Sequence, residues 1–216
     1  SEVAKNLIIS LRKLETENGY EKSKTKDILF ASTGVIGEQF PTEKIIENLP
    51  NLVKNLRINQ NKLIWIKMAS AIMTTDTKPK VASSVIKIGD KKITISAIAK
   101  GSGMIAPNLA TMLSFIFTDA DISSIVLNKY LHKVLSNTFN AITVDSDTST
   151  NDMVAIFSTK KIKSKKLNLI ASLEAKKFEK ALKNVCLDLA KQIVVDGEGA
   201  KKFVIIKTIN SESIEK

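Results

Sequence analysis

The residue with the most distinctive possible reactivity is Thr111, which follows Ala110 where an irregular loop meets a strand-like run. A threonine at a chain start can use its own α-amine, with a pKa of about 8, as general base for its hydroxyl. An internal threonine gains that amine only when the preceding peptide bond is cut. Attack of the Thr111 hydroxyl on the Ala110 carbonyl would convert the amide into an ester, which water then opens. A purely structural threonine remains the alternative interpretation.

The loop before Thr111 has a composition that suits such a cut. Gly101, Gly103 and Pro107 can hold the backbone in unusual dihedral angles, and the small side chain of Ala110 leaves its carbonyl open. The apolar run that follows would fix the threonine hydroxyl at the start of a strand. Lys100 opens the loop as Lys-Gly-Ser-Gly, but a phosphate-binding loop places its lysine after the glycines.

Other catalytic chemistries have few residues to work with. His132 is the only histidine and Cys186 the only cysteine, so metal binding and histidine-dependent catalysis are nearly excluded. His132 lies inside a predicted helix beside charged neighbours, where we expect no catalytic role. Cys186 lies among apolar residues and is expected to be a buried thiol.

Composition bounds the class of protein. The chain has 216 residues, 44% hydrophobic, enough for one large domain or two small ones. Its net charge of +11 would favour nucleic acid, but only Arg12 and Arg57 are arginines and aromatic residues make up 5%, so we expect no nucleic-acid partner. No apolar run reaches the roughly 18 residues that span a membrane. Without a secretory signal, the expectation is a soluble cytoplasmic protein. The missing initiator methionine suggests a start inside a longer protein.

Periodicity predicts mixed α and β structure. Helices are expected at 3–15, at 42–56 with Pro50 as a possible break, at 63–73 in a mostly buried setting, at 123–140 and at 172–193. Gly89-Asp90 between two β-branched runs predicts a hairpin of 81–88 and 93–98. Further strands are expected at 27–32, 111–118, 153–158 and 203–208, with a polar loop at 74–79.

The segment from Lys100 to Leu113 closely resembles the self-cleavage motif of the ornithine acetyltransferase family, also called the bifunctional glutamate N-acetyltransferase family of arginine biosynthesis. Four further segments match in the family's order. They are Ser32-Thr-Gly-Val-Ile-Gly37, Ala71-Ile-Met-Thr-Thr-Asp-Thr77, Asp145-Ser-Asp-Thr-Ser-Thr-Asn-Asp152 and Asp196-Gly-Glu-Gly-Ala200. Five ordered matches between positions 32 and 200 make a chance similarity very improbable.

The resemblance implies roles for individual residues. Thr111 would be the nucleophile, and the hydroxyl of Thr33 with the backbone N–H of Gly34 would form the oxyanion hole. Thr74, Lys100, Thr111 and Glu198 match substrate-binding positions. A lysine suits the α-carboxylate of an amino acid, and a carboxylate suits the distal ammonium of ornithine. Thr75 and Thr77 offer hydroxyls similar to that of Thr74, so the choice among the three threonines stays open.

The family's activity and assembly are implied in the same way. Thr111 would take the acetyl group from N-acetylornithine and pass it to glutamate in a ping-pong reaction, without a cofactor. Many members also accept acetyl-coenzyme A as donor. Residues 1–110 would end the α chain and residues 111–216 would begin the β chain of one catalytic domain. The expected fold has β-sheets layered between helices in a self-cleaving N-terminal-nucleophile enzyme. Two α and two β chains would form a heterotetramer.

The sequence departs from the family pattern in length and at one turn. Family members are considerably longer than this chain, which we therefore expect to be an internal fragment. Ser146 stands where the family commonly has glycine, within a segment, 145–152, that we interpret as scaffolding beside the site. Two other classes of function stay open: a related self-cleaving aminopeptidase, in which water resolves the threonyl ester, and a non-catalytic basic binding module.

Overall fold

The computed structural model describes residues 1–35, 37–56, 63–105, 112–147 and 149–210, except for the side chains of 165 and 166. The chain divides into two compact units, residues 1–62 and residues 63–216.

The first unit is built on two packed helices, α1 (Glu2–Glu17) and α2 (Thr42–Lys54). Ser1 caps α1 because its hydroxyl accepts a hydrogen bond from the Ala4 N–H. Apolar side chains of both helices are buried, including Ile8 of α1 and Leu49 and Val53 of α2. The predicted helices are confirmed.

For the first unit, one expectation was wrong and one open alternative is decided. Residues 28–35 form no strand, and Leu29 is 65% exposed, because the first unit's described residues contain no strand that could satisfy its backbone groups. Pro50 does not break α2, which continues to Lys54. Leu49 and Val53, buried on either side of Pro50, stabilise the helix across the missing N–H.

The second unit contains a four-stranded sheet in the order β1 (Lys80–Ile88), β2 (Lys91–Lys100), β3 (Leu113–Ala120) and β4 (Met153–Ile162). β1, β2 and β3 are antiparallel to their neighbours, and β4 is parallel to β3. Gly89 turns the first hairpin with a φ of 62°, a conformation that favours glycine. The predicted hairpin is therefore confirmed.

Helices contact both faces of this sheet. They are α3 (Leu63–Ala71), α4 (Ser124–Leu135) and α5 (Leu173–Val195), with 3₁₀ turns at 139–141 and 165–168. Ile116 of β3 belongs to the core cluster that includes Phe178 and Leu189 of α5. Side chains alternate along a strand, so neighbouring Phe117 faces the other way, where its ring lies 5.5 Å from that of Trp65 in α3.

Three expectations for the second unit need correction. α3 is helical as predicted but mostly exposed, with Ala69 as its only buried residue and Leu63 59% exposed. It contacts β1 and β2, and most of its apolar side chains are exposed, including those of Ile64 and Ile66. Residues 203–208 form no strand, because no described strand pairs with them, and Ile206 is 89% exposed. The helix expected at 123–140 ends at Leu135.

The structure confirms mixed α and β architecture with one four-stranded sheet among the described residues. Within those residues, no helix combines the length and apolarity that crossing a bilayer would require.

Candidate functional site

The end of β2 delivers Lys100 into the interior of the second unit. Only 1% of Lys100 is exposed, and its Nζ donates a hydrogen bond to the Thr74 hydroxyl at 3.0 Å. Burial lowers the pKa of Lys100, the charge of Asp76 raises it in part, and Lys80 adds to the lowering. The structure thus brings together two of the residues that the sequence predicts to bind substrate. Lys100 is buried, and Thr74 is exposed.

A second buried lysine, Lys80, anchors residues 74–79, the loop with three threonines that is called the threonine loop. Lys80 Nζ contacts Asp76 Oδ1 and Asp196 Oδ2, each at 2.6 Å, and all three side chains are almost fully buried. Asp76 also accepts the Gly101 N–H at 2.7 Å and the Thr74 N–H at 3.2 Å. Asp76, Lys80 and Asp196 together form the buried ion cluster. This cluster fixes the backbone at Gly101 and at Thr74, on both sides of the Lys100–Thr74 contact.

The carboxyl groups of the buried ion cluster are held in the ionised form. Burial acts to raise the pKa of Asp76 and of Asp196. Hydrogen bonds from Lys80 to both, with backbone N–H donors, outweigh that effect, so both pKa values lie below the ordinary carboxyl value. Gly101 joins this network with a φ of 145°, which bears out the unusual dihedral expected there.

The three neighbouring threonines have different partners. The Thr75 hydroxyl lies 2.6 Å from the Ser102 hydroxyl, and Ser102 is buried. The Thr77 hydroxyl donates to Asp196 Oδ1, and the Thr77 N–H donates to Asp196 Oδ2 at 3.0 Å. Thr74 alone of the three has its hydroxyl at Lys100. Thr75 and Thr77 therefore hold the loop, and Thr74 stands beside the lysine.

Glu198 approaches the same loop from the segment after α5. Its N–H donates to the Ser102 carbonyl at 2.6 Å. A Cβ atom added at Gly103 would lie only 2.9 Å from Glu198 Oε2, so the glycine leaves room for this carboxylate. Glu198 itself is exposed. Its backbone is thus fixed beside the loop that begins at Lys100 while its carboxylate remains open to solvent.

Asp145 and Asp152, at the two ends of one segment, hold the described backbone that precedes and follows residues 106–111. Asp145 accepts the N–H of Met104 at 2.5 Å and of Ile105 at 2.8 Å. Asp152 Oδ1 accepts the N–H of Met112 at 2.6 Å. The interpretation of this segment as scaffolding fits these contacts. Ser146 has a φ of 66°, so the position at which the family commonly has glycine does require the left-handed conformation.

The remaining predicted residues are Thr33, Gly34, Ala110 and Thr111, with Pro107 of the preceding loop. Thr33, half-buried, and Gly34, exposed, belong to an irregular segment of the first unit. Ala110, Thr111 and Pro107 lie outside the described residues. The roles of Thr33, Gly34 and Thr111 stay predictions.

Sequence reasoning did not identify the buried ion cluster, and it did not identify the partly buried carboxylate of Asp152. Asp76, Asp196 and Asp152 all lie in the matched motifs, but nothing local marks them as buried. Lys80 resembled any of the surface lysines. The available signal was proximity to the motifs, since Lys80 follows the threonine loop directly.

Cys186 and His132, for which the sequence predicts no catalytic role, lie in helices of the second unit. Cys186 is fully buried in α5, and burial raises the pKa of its thiol to about 12. His132 is exposed on α4. The part of the chain that the structure describes contains no cluster of three or more residues suited to hold a metal ion.

The sequence model of the ArgJ family matches residues 10–216. Proteins named arginine biosynthesis bifunctional protein ArgJ from Mesorhizobium japonicum and Nitrobacter winogradskyi are both 46% identical to the chain, over 190 and 184 residues. The alignments cover 87% and 84% of this chain, but 45% and 43% of the relatives. The chain therefore spans less than half the length of these curated relatives.

Two further comparisons differ in strength. The protein of the same name from Chlorobaculum tepidum is 46% identical over 189 residues, 88% of this chain and 45% of its own length. A solved structure, the PH0078 protein of Pyrococcus horikoshii, aligns with 55% of this chain and 39% of its own at 14% identity and a TM-score of 0.32. That score is too low to inform the fold.

Proposed function

The chain belongs to the ArgJ family, and from that premise we propose that it forms part of a self-cleaving acetyltransferase of arginine biosynthesis. The enzyme moves an acetyl group from N2-acetylornithine to glutamate, in the cytoplasm, through an acetyl ester on Thr111. The observation that carries the proposal is the buried Lys100 ammonium beside the Thr74 hydroxyl, at the start of the loop that leads to Thr111.

Lys100 and Thr74 suit recognition of an amino acid's α-carboxylate. A carboxylate beside Lys100 would act in the same direction as Asp76, whose charge raises the pKa of this lysine against the lowering effect of burial. A charge-assisted hydrogen bond of this kind is about twice as strong as a neutral one. Because Thr75 and Thr77 are engaged by Ser102 and Asp196, Thr74 is the threonine that we assign to substrate.

Glu198 is the proposed partner of the distal ammonium of ornithine. Its N–H is bound to the Ser102 carbonyl, two residues beyond Lys100, and its carboxylate is open to solvent. One positive and one negative side chain, brought together from two segments of the chain, suit a substrate that carries a carboxylate at one end and an ammonium at the other.

Self-cleavage comes first in the proposed sequence. The Thr111 hydroxyl attacks the Ala110 carbonyl, the acyl group moves from nitrogen to oxygen, and water opens the ester to leave a free α-amine on Thr111. That amine is then the base for acetyl transfer. The Thr33 hydroxyl and the Gly34 N–H form the proposed oxyanion hole, in which each donor lowers the barrier by about 3 kcal/mol.

The sheet explains how the two products would stay together. β1 and β2 precede the proposed cut, whereas β3 and β4 follow it. β2 and β3 pair from Ile95↔Thr118 to Lys100↔Leu113, so the backbone ladder joins the proposed α chain, 1–110, to the β chain that starts at 111. The self-cleaving nucleophile fold, with sheets layered between helices, and the assembly of two α and two β chains are part of the same proposal.

Intact mass spectrometry of the natural gene product beside its Thr111→Ala variant tests the nucleophile. The wild type is expected as two fragments split between Ala110 and Thr111, and the variant as one uncut chain. Thr159→Ala, an exposed threonine of β4, is the matched control and should cleave as the wild type does. An uncut wild type, or a cleaved Thr111→Ala variant, would refute the proposed nucleophile.

An acetyl-transfer assay with the cleaved protein then tests the reaction. We expect acetylglutamate to form from N2-acetylornithine and glutamate, with no transfer by Thr111→Ala. Release of free acetate without acetylglutamate would instead support the hydrolase class. Salt-dependent binding of nucleic acid by an uncut chain would support the basic binding module.

A further inference from the structure

Asp152 is a carboxylate that holds the residue next to the predicted nucleophile. Its Oδ1 accepts the Met112 N–H at 2.6 Å, and the Met112 carbonyl accepts the Met153 N–H at 3.0 Å. Met112 is 2% exposed, and the ladder of β3 and β4 starts at the next pair, Leu113↔Met153. The backbone one residue after Thr111 therefore cannot move without breaking two hydrogen bonds at a buried position.

The second oxygen of Asp152 is not satisfied in the same way. Oδ2 is buried and has no hydrogen-bond partner among the described residues. Burial raises the pKa of Asp152, and the Met112 N–H offsets only part of that rise. A buried carboxylate oxygen without a donor is costly, so each such group in a folded protein calls for an explanation.

Cleavage before Thr111 would change its nitrogen from an amide, whose single N–H is fixed in the peptide plane, into an amine whose N–H groups rotate about the N–Cα bond. The nitrogen of one residue is three covalent bonds from the nitrogen of the next, so the two are at most about 3.7 Å apart in any conformation. Oδ1 of Asp152 is bound to the Met112 nitrogen. A free α-amine on Thr111 would therefore be an N–H donor within a few bond lengths of the same carboxylate.

We propose that Asp152 is the positioning residue for Thr111: its Oδ1 fixes the Met112 backbone for the cut, and its Oδ2 accepts a hydrogen bond from the α-amine that the cut creates. This inference rests on the proposed function, because only a cleaved chain has that amine. In the cut, the Ala110 acyl group leaves the Thr111 nitrogen for the hydroxyl oxygen, the nitrogen gains the proton, and water releases the acyl group as a carboxylate.

The contact has a direct consequence for catalysis. An α-amine acts as general base through its lone pair, which must point at the threonine hydroxyl. A hydrogen bond from one N–H to Oδ2 would fix the rotation of the amine and leave the lone pair available. Asp145, at the other end of the same segment, holds Met104 and Ile105 on the preceding side of the predicted cleavage site. Asp145 and Asp152 thus hold the chain before and after the predicted scissile bond, Ala110–Thr111.

Asp152→Asn and Asp152→Ala in the natural gene product separate the two oxygens. Asn keeps an acceptor for the Met112 N–H, so we expect its self-cleavage rate to stay within about threefold of wild type, with Ala about a hundredfold slower, the scale of an ångström of misplacement. In the cleaved Asn variant, an amide NH₂ replaces the acceptor for the amine. Its kcat for acetyl transfer should fall about tenfold at unchanged KM, because the contact orients the base and does not touch substrate.

Thermal unfolding distinguishes this role from a merely structural one. Asn removes a buried charge whose pKa is raised in the folded state, so the midpoint of Asp152→Asn should be equal to or above that of wild type. Asp147→Asn, an exposed carboxyl group of the same segment, is the control and should match wild type in cleavage, transfer and midpoint.

Each contrary result overturns a defined part of the inference. Cleavage of Asp152→Ala at the wild-type rate would refute the role of Oδ1. Wild-type kcat in Asp152→Asn would refute the role of Oδ2, and a lowered midpoint that parallels the loss of activity would indicate only a structural residue. If wild type itself stays uncut, the proposed function fails first, and this inference fails with it.

Discussion

Two acidic sites in the second unit differ in how completely their oxygens are paired. In the buried ion cluster, Asp76 and Asp196 share Lys80, accept backbone N–H groups and keep lowered pKa values in spite of burial. Asp152 has one bound oxygen, one buried oxygen without a described partner, and a raised pKa. A fully paired carboxylate contributes to stability, whereas an incompletely paired one costs stability and is available to a group that arrives later.

The two sites also act on different parts of the same loop. The buried ion cluster fixes Gly101 and the threonine loop, which positions Lys100 and Thr74. Asp152 fixes Met112, at the other end. Under the proposed function, substrate binding and self-cleavage would depend on separate carboxylates, and substitutions should affect them separately.

Removing the shared lysine should have the largest effect on stability. Lys80→Met keeps an unbranched side chain, one atom shorter, but leaves Asp76 and Asp196 buried without their cation, so we expect a loss of about 3–5 kcal/mol in the free energy of unfolding. Urea denaturation at pH 7 measures it. Lys78→Met, an exposed neighbour, is the control and should change stability by about 0.5 kcal/mol or less. A loss below about 1 kcal/mol in Lys80→Met would mean that the cluster behaves like an exposed ion pair.

Asp196→Asn should have an intermediate effect that depends on pH. Loss of the charged hydrogen bond to Lys80 should cost about 1–3 kcal/mol at pH 7. Because folded Asp196 has a lowered pKa, it binds its proton less readily than the unfolded chain does. Its stabilisation is therefore complete above the unfolded pKa of about 4 and is lost as pH falls through the folded pKa.

Urea denaturation of wild type and Asp196→Asn between pH 7 and pH 2.5 tests this dependence. The difference in stability should shrink in acid, because wild type loses the charge that the variant never had. Asp147→Asn, which changes an exposed carboxyl group, is the control and should differ from wild type by about 0.5 kcal/mol or less at pH 7. A difference that stays constant down to pH 2.5 would contradict the assigned charge state of Asp196.

The smallest expected effect is a gain at the turn that leads to Asp152. Ser146 has a φ of 66°, which costs a residue with a side chain about 1 kcal/mol relative to glycine, so Ser146→Gly should raise the free energy of unfolding by about that amount. Ser136→Gly, at a φ of −56°, should instead lower it. A loss of stability in Ser146→Gly would show that the serine side chain has a contact that outweighs the backbone strain.

The candidate site was predictable from sequence only in part. The motif between Lys100 and Leu113 and the neighbouring Thr74 and Glu198 could be named, and the structure brings Lys100 and Thr74 into contact. The choice of Thr74 over Thr75 and Thr77 required the positions of Ser102 and Asp196. Sequence motifs identify which residues belong to a site, but three adjacent hydroxyls differ only in what packs against them.

Local sequence determined the elements whose physics is local. The Gly89 turn, the cap of α1 and the apolar periodicity of α5 depend on residues within a few positions of one another, so the hairpin and the helices followed from the sequence. Tertiary structure decided what depends on partners far along the chain. Lys80 meets Asp196 across 116 positions, and the apolar runs at 27–32 and 203–208 form no strand without one to pair with. A backbone ladder and a buried charge both need a second segment, and only the folded chain supplies it.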